Sequence, residues 1–333
     1  YIIKRILLGL VVLFGVIGIT FFLTRVIPSD PAAQWVGPRA TQAQIEKAKI
    51  ELGLDKPIYE QFGKYLGDLV HGNLGYSLRT KTPVLKELLT YVPATIELII
   101  FSTILAVLLG IPLGLGAAKY KDKALDNFCR YVSVGAVSLP TFWVALFLQL
   151  IFFRWLELLP LGGLVDTKLK IIYGLPHYTG FPLLDSLLGG NWIIAGDIAR
   201  HMILPTITVA LYPIGLVARM TRSALLEILG EEYIKAARSY GLKEKLVMWK
   251  YALKNSLGTT VTVLALSIGY TLVNTFLIEA IFSWPGVGNY IATAVVSLDY
   301  PAIMGVTLFS ACSYIILNLL ADIIIAFDPR VRV

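Results

Sequence analysis

Residues 98–118, LIIFSTILAVLLGIPLGLGAA, form a run of 21 positions without a single Asp, Glu, Lys or Arg. A helix needs about 20 mainly apolar residues to cross the hydrocarbon core of a bilayer. Five further runs also lack these four residue types: 6–24, 131–153, 202–218, 256–278 and 301–321. The sequence therefore predicts an all-α polytopic membrane protein with six transmembrane helices, and the run at 202–218 is the shortest of them.

The basic residues are concentrated in alternate loops. Sixteen of the 29 Lys and Arg residues lie near the two termini or in segments 119–130 and 219–256. The other long segments are nearly balanced: 28–92 has eight basic and seven acidic residues, and 157–201 has three and four. The positive-inside rule then predicts an N-in/C-in topology, with both termini in the cytoplasm. An anionic membrane surface accounts for the net charge of +7, so we expect the bilayer and not a nucleic acid as the partner.

These patterns divide the chain into three parts. The expected parts are a first transmembrane helix, an extracellular helical cap, and a core with five more transmembrane helices: 1–27, 28–92 and 93–333. Within the cap, Thr41 and Gln44 have the spacing of a capping box at a helix start. Within the core, 157–201 is expected to be an ordered external loop, with a plain linker as the alternative, and 219–256 a cytoplasmic loop.

Segment 219–256 contains a short predicted helix with small residues. Gly230 is expected to end the preceding helix, Glu232 lies in the first turn of the next, and Gly241 ends that one because glycine readily takes the left-handed conformation. The residues expected on one small and aromatic face are Tyr233, Ala236, Ala237 and Tyr240. Such a face favours close docking of a soluble partner, and a solvated charged loop is the alternative.

Catalytic motifs are missing from the sequence. It contains no GxxxxGK[ST] phosphate loop, no HExxH pair and no GxSxG elbow. Cys129 and Cys312 have no CxxC spacing and fit small buried hydrophobic positions. We therefore expect no catalytic residue, no metal site and no cofactor on this chain, which argues against an enzyme.

A few residues within or beside the apolar runs need an explanation. Glu97, Glu279 and Asp322 lie at span ends, where a carboxylate either lines a path or gate or hydrogen-bonds to a neighbouring helix. Gly110, Gly114 and Gly116 predict close helix packing in the second span. The sequence Ser138-Leu-Pro-Thr141 predicts a kink in the third span, because proline removes a helical hydrogen bond.

Many segments resemble one known family. Residues 232–242, EYIKAARSYGL, are similar to the conserved cytoplasmic EAA loop of ABC-importer permeases. Other segments are similar to the B-type permease of oligopeptide and dipeptide importers: 221–227, 283–288, 299–301, 328–330, 28–31, 51–55, 72–77, 93–97 and 110–114. The resemblance covers nearly the whole chain. Lys235 departs from it, since the glutamate that names the loop would stand there, and Thr259 stands near where a Leu-Pro pair often closes the loop.

The resemblance implies an ABC type I importer permease fold in the cell membrane. It implies four kinds of partner: a homologous second permease, two ATPase subunits that carry ATP and Mg, an extracellular solute-binding protein, and the bilayer. The implied cargo is oligopeptides or dipeptides. The long 157–201 segment leaves oligosaccharides as the alternative. A secondary transporter or channel is less favoured, because no clear internal repeat is present.

The resemblance also implies two groups of site residues. The residues expected to couple the chain to the ATPases are Glu232, Tyr233, Ala236, Ala237, Arg238, Gly241 and Leu242. The residues expected at a gate or along the path are Glu279, Trp284, Pro285, Gly286 and Glu97.

Overall fold

The computed structural model describes residues 2–26, 30–37 and 39–326, and the regular structure in these ranges is helical. In chain order the helices are α1 (Ile2–Val26), α2 (Pro31–Val36), α3 (Gln42–Glu51), α4 (Ile58–Val70), α5 (Val84–Lys119), α6 (Ala124–Ser138), α7 (Thr141–Leu148), α8 (Thr167–Tyr173), α9 (Pro182–Leu188), α10 (Trp192–Leu229), α11 (Glu232–Ser239), α12 (Glu244–Leu246), α13 (Lys254–Ile281), α14 (Val287–Val296) and α15 (Tyr300–Ala326). The segment 328–330 and part of 28–31 lie outside the described residues.

Five helices are long and apolar enough to cross a membrane. They are Lys4–Thr24, Val84–Lys119, Trp192–Leu229, Glu244–Ile281 and Tyr300–Ile323. The fourth of these runs unbroken from α12 through a π-helical stretch, Val247–Leu253, into α13. A sixth span is obtained if α6 and the helix that follows it are counted together. The predicted all-α polytopic membrane protein is therefore confirmed.

The third span is broken, whereas the sequence predicted only a kink. α6 ends at Ser138, and the next helix, α7 with its π-helical continuation Gln149–Trp155, leaves at an angle of 104°. Leu139 is extended, with φ −76° and ψ 135°. Proline disfavours the helical conformation in the residue before it, and it has no N–H to donate. Pro140 therefore breaks the helix both at Leu139 and at its own position.

The fourth span is much longer than predicted. α10 has 38 residues, and the expected 202–218 is only its middle. The apolar run ended at charged residues that belong to the same helix. These residues are Asp197, Arg200, Arg219 and Arg222.

α5 and α10 pack closely at the centre of the molecule. A Cβ on Gly110 would lie 2.8 Å from the Val217 side chain, and one on Gly114 would lie 2.6 Å from the Ala218 carbonyl oxygen. Only glycine allows this approach of two backbones, so the predicted small-residue face is confirmed at these two positions. It is wrong for Gly116, where a Cβ would make only ordinary contacts.

The described residues between α1 and α5 form the helices α2, α3 and α4, and their extracellular position as a cap stays a prediction. The predicted capping box is present: the Thr41 N–H donates to Gln44 Oε1 at 2.8 Å, and the Gln44 N–H donates to Thr41 Oγ1 at 3.4 Å. α4 packs on the outer end of α1 through Tyr65, which stacks on Phe21. The helix α5 already begins at Val84, so residues 84–92 belong to the first long core helix.

The loop that follows the cap is tied to the start of α15. The buried Asp299 carboxylate accepts from the Leu78 N–H at 3.0 Å, from the Arg79 N–H at 3.3 Å and from the Ser77 hydroxyl. Two segments that the resemblance singled out, 72–77 and 299–301, therefore meet in space although more than 200 residues separate them.

Segment 157–201 carries α8, α9 and the start of α10. Asp185 in α9 is buried and accepts from the backbone N–H groups of Tyr178, Thr179 and Gly180 at 2.9–3.0 Å. Burial alone would raise the pKa of Asp185, but these bonds and one from the Thr179 hydroxyl outweigh it and hold the pKa below its usual value. These helices and hydrogen bonds favour the ordered loop over the plain linker, and its external position stays a prediction.

Candidate functional site

The short helix α11 is packed firmly on the ends of the long helices. Ile234 and Ala237 on its inner side are buried. They join an apolar cluster with residues of α5, α10 and the π-helical stretch: Leu115, Leu225, Val247, Met248 and Ala252. Gly241 has φ +76° and ends the α11 region in the left-handed conformation, as predicted. Force applied to α11 would thus reach α10 and the span that contains α13.

The outer side of α11 is exposed. Tyr240 is 86% exposed, Tyr233 is 41% exposed, and Ala236 lies between them. Ala237 is only 7% exposed and faces the core with Ile234, so the predicted common face was wrong at this position. The helical period places Ala237 about 40° round from Tyr233. Because the offset is small, the sequence pattern assigns both residues to one face. In the structure Ala237 nevertheless turns towards the apolar cluster, while Tyr233 stays exposed.

Ion pairs brace the two ends of α11. Arg238 Nη2 lies 2.8 Å from Glu244 Oε1, and this hydrogen bond raises the pKa of the Arg238 guanidinium above its usual value. Lys235 Nζ lies 2.8 Å from Glu232 Oε1, so the residue that departs from the family pattern is paired within the helix. All four side chains are well exposed, and such pairs contribute little stability individually. Leu242 is half-buried against the apolar cluster beneath.

Four of the five residues expected at a gate or along the path lie at or beside the turn between α13 and α14, and the fifth, Glu97, lies in α5. Glu279 is fully buried, and its Oε2 accepts from the Gly288 N–H at 2.6 Å. Gly286 is also buried, and any Cβ there would collide with the Glu279 carboxylate. Trp284 is fully buried and Pro285 half-buried between them. The carboxylate thus holds the turn in shape.

The same turn is joined to α5. The Trp284 indole N–H donates to the Ala94 carbonyl oxygen at 3.0 Å. The Val287 N–H donates to Thr95 Oγ1 at 2.9 Å. These contacts fix the end of α13 and the start of α14 against the N-terminal part of α5.

The other two carboxylates at span ends also contact neighbouring helices. Glu97 is buried and accepts from the N–H groups of Leu183 and Leu184, each at 3.2 Å, which are the first donors of α9. Asp322 on α15 pairs with Arg5 on α1 at 3.2 Å. For Glu97, Glu279 and Asp322 the structure gives the hydrogen-bonded alternative that the sequence left open.

A cavity of about 360 Å³ lies at the break between α6 and α7, facing α10 and α13. Its lining has no charged side chain, and its polar residues are Ser138, Thr141, Tyr212, Tyr270, Thr271 and Asn274. The Tyr212 and Tyr270 rings are 4.6 Å apart. Aromatic faces and an amide can bind a flexible polar molecule without demanding a particular charge.

Sequence reasoning missed this cavity. Its signals were present: Asn274 lies within an apolar run, and Pro140 precedes the bend. Neither shows by itself that two helices separated by two residues diverge and leave a space between them.

Comparisons with known proteins identify the chain's family. Residues 110–333 match the family model described as "Binding-protein-dependent transport system inner membrane component". Residues 1–99 match the model for the N-terminal part of such membrane components. The chain belongs to this permease family. The resemblance to ABC-importer permeases and the expected location in the cell membrane are confirmed.

Relatives of the permease match over nearly its whole length. It is 42% identical over 325 residues to the probable D,D-dipeptide transport system permease protein DdpB of Escherichia coli (strain K12), covering 97% of the permease and 95% of that relative. It is 37% identical over 333 residues to the dipeptide transport system permease protein DppB of Alkalihalophilus pseudofirmus, covering 100% and 99%. It is 32% identical over 334 residues to the oligopeptide transport system permease protein AppB of Bacillus subtilis (strain 168), covering 100% and 99%.

Proposed function

We propose that this permease forms one half of the translocation path of an ATP-driven importer for dipeptides and oligopeptides. The observation that carries the proposal is the full-length similarity to relatives named for dipeptide and oligopeptide transport. A homologous second permease completes the path. ATP and Mg are bound by two separate ATPase subunits, because this chain has no GxxxxGK[ST] phosphate loop.

α11 is the element that receives the ATPases. Its exposed side offers Tyr233, Ala236 and Tyr240 to a groove on an ATPase subunit. Its inner side, with Ile234 and Ala237, passes the movement to α10 and to the span that contains α13. The placement of the basic residues supports a cytoplasmic position for α11 and an N-in/C-in topology.

The outer turn around Glu279 and Trp284 serves as the support of an outer gate. Its hydrogen bonds to α5 keep α13 and α14 together when the path opens and closes. An extracellular solute-binding protein delivers the cargo onto the cap and segment 157–201, and the cavity at the α6–α7 break lies beside the path.

Uptake by the reconstituted complex tests the proposal. Proteoliposomes containing this permease, its second permease and the ATPases receive the loaded binding protein and are assayed for entry of a labelled dipeptide and a labelled oligosaccharide. We expect ATP-dependent uptake of the dipeptide, and none with an ATPase variant that cannot hydrolyse ATP. Uptake of the oligosaccharide alone, or uptake without ATP, would contradict the proposal.

A further inference from the structure

A second cavity lies where the ends of α5, α6 and α10 meet, on the side of the molecule that carries α11. Its volume is about 290 Å³. Three arginines and two serines supply its polar lining: Arg130, Arg219, Arg222, Ser133 and Ser223. The rest of its lining comes from Leu113, Ala117, Cys129, Val134 and Ala218. The cavity plays no part in the transport mechanism described above.

One of the three arginines is neutralised inside the protein. Arg222 makes a two-pronged contact with Asp126, with Nε–Oδ1 at 2.6 Å and Nη2–Oδ2 at 2.7 Å. Asp126 is fully buried and also accepts from the Asp122 N–H at 3.0 Å. The planar fork of Arg222 is therefore held in place as part of the cavity wall.

The other two arginines carry positive charge that the protein does not neutralise directly. Within the part of the chain that the structure describes, no carboxylate lies within ion-pair distance of Arg130 or Arg219. Segment 119–130 adds three lysines and only two acidic residues. The cavity thus has a net positive rim and two hydroxyl groups, which suits a phosphate group.

The cavity continues onto an apolar surface. Val134 lines it and is 58% exposed, and further along α6 the side chains of Leu125, Phe128 and Tyr131 are also exposed. These residues lie on α6, the first half of the broken third span, so the apolar surface beside the cavity is suited to contacts with hydrocarbon chains. A free anion would contact the arginines but not this apolar surface, whereas a phospholipid would contact both.

We propose that this cavity binds the phosphate of an anionic phospholipid of the cytoplasmic leaflet. Arg130 and Arg219 face the phosphate, the serine hydroxyls donate to its oxygens, and the acyl chains lie along the exposed side of α6. Basic pockets between transmembrane helices on the cytoplasmic side are suited to anionic headgroups. A lipid bound there would fill the space between α6 and α10.

Lipid binding to the purified full chain tests the proposal. Wild-type protein is transferred to vesicles of phosphatidylcholine with a minor share of phosphatidylglycerol, re-extracted, and its retained lipid is counted by native mass spectrometry. We expect selective retention of phosphatidylglycerol, and at least about tenfold weaker binding after Arg130→Gln with Arg219→Gln, because both phosphate-facing charges are lost.

Two further variants separate this site from general charge effects. Lys243→Gln with Lys250→Gln removes two exposed charges from the same side of the molecule and is expected to retain the lipid. Arg130→Lys with Arg219→Lys keeps the charge, so it is expected to restore most of the binding lost in the glutamine variant and shows that the loss is not due to misfolding.

Three results would overturn the proposal. The first is equal retention of phosphatidylcholine and phosphatidylglycerol by the wild-type protein. The second is an equal loss of binding in the Lys243→Gln, Lys250→Gln control. The third is displacement of the lipid by millimolar inorganic phosphate, which would show a site for a free anion.

Discussion

Single buried carboxylates hold this permease together at its turns. Glu279, Glu97, Asp185 and Asp299 each accept backbone N–H groups from the start of a helix or from a tight loop. A buried charge is costly unless it is hydrogen-bonded, so such positions are strongly determined by their surroundings. The sequence alone identified Glu97 and Glu279 as unusual, but the hydrogen-bond donors lie far along the chain and only the fold shows them.

The effect of Glu279 on stability distinguishes a structural acceptor from a charge exposed in the path. Glu279→Leu leaves the Gly288 N–H without an acceptor and should destabilise the protein by about 1–3 kcal/mol. Glu279→Gln keeps a carbonyl oxygen at that position, so this variant should lose less stability than Glu279→Leu. Thermal unfolding of the two variants in detergent, followed by tryptophan fluorescence, measures the difference. Equal unfolding temperatures for wild type and Glu279→Leu would contradict the assigned role.

At the scale of elements, α11 has one face for the core and one for solvent. Ala236 lies on the exposed face and the neighbouring Ala237 on the buried face. The same substitution at these two positions therefore tests the two faces separately. Ala236→Asp changes only the exposed face, so we expect the protein to fold normally while ATP-dependent uptake falls at least about tenfold, as for a charge buried at an interface centre. Ala237→Asp places a carboxylate in the apolar cluster, so we expect the loop to loosen as well.

Limited proteolysis alongside the uptake assay distinguishes the two variants. Ala236→Asp should be cleaved as slowly as the wild type, and Ala237→Asp faster within residues 230–250. Normal uptake by Ala236→Asp would show that the exposed face of α11 does not receive the ATPase. For Ala237→Asp we also expect loss of transport with membrane insertion intact, because the loop unpacks around the buried carboxylate.

Local sequence signals predicted some elements well and others poorly. Uncharged runs predicted α1, α5, α13 and α15, because such runs are long enough to span the bilayer, and Gly241 marked the end of the coupling region. The length of α10 was missed, because charged residues interrupt the apolar run near both ends of the helix. In the structure Arg222 pairs with Asp126 of α6, and Arg200 donates to the Leu158 carbonyl oxygen. The 104° break before Thr141 was underestimated, since the angle depends on what packs against α7.

At the scale of the whole molecule, two features fit the proposed assembly. Helix α11 is exposed on one side, and a cavity lies at the α6–α7 break. The resemblance recognised in the sequence identified the family, and the comparisons confirmed it. The uncharged cavity was not foreseen, because its walls come from three separate spans.

Cysteine labelling at Tyr240 tests the central claim that α11 is a cytoplasmic docking element for the ATPases. Cys129 and Cys312 are first replaced by Ala, and Tyr240→Cys is compared with Tyr59→Cys, an exposed position in the external cap. A membrane-impermeant maleimide should label Tyr59→Cys in intact cells and Tyr240→Cys only in inside-out vesicles. Bound ATPase subunits should protect Tyr240→Cys. Labelling of Tyr240→Cys in intact cells, or labelling unchanged by the ATPases, would contradict the claim.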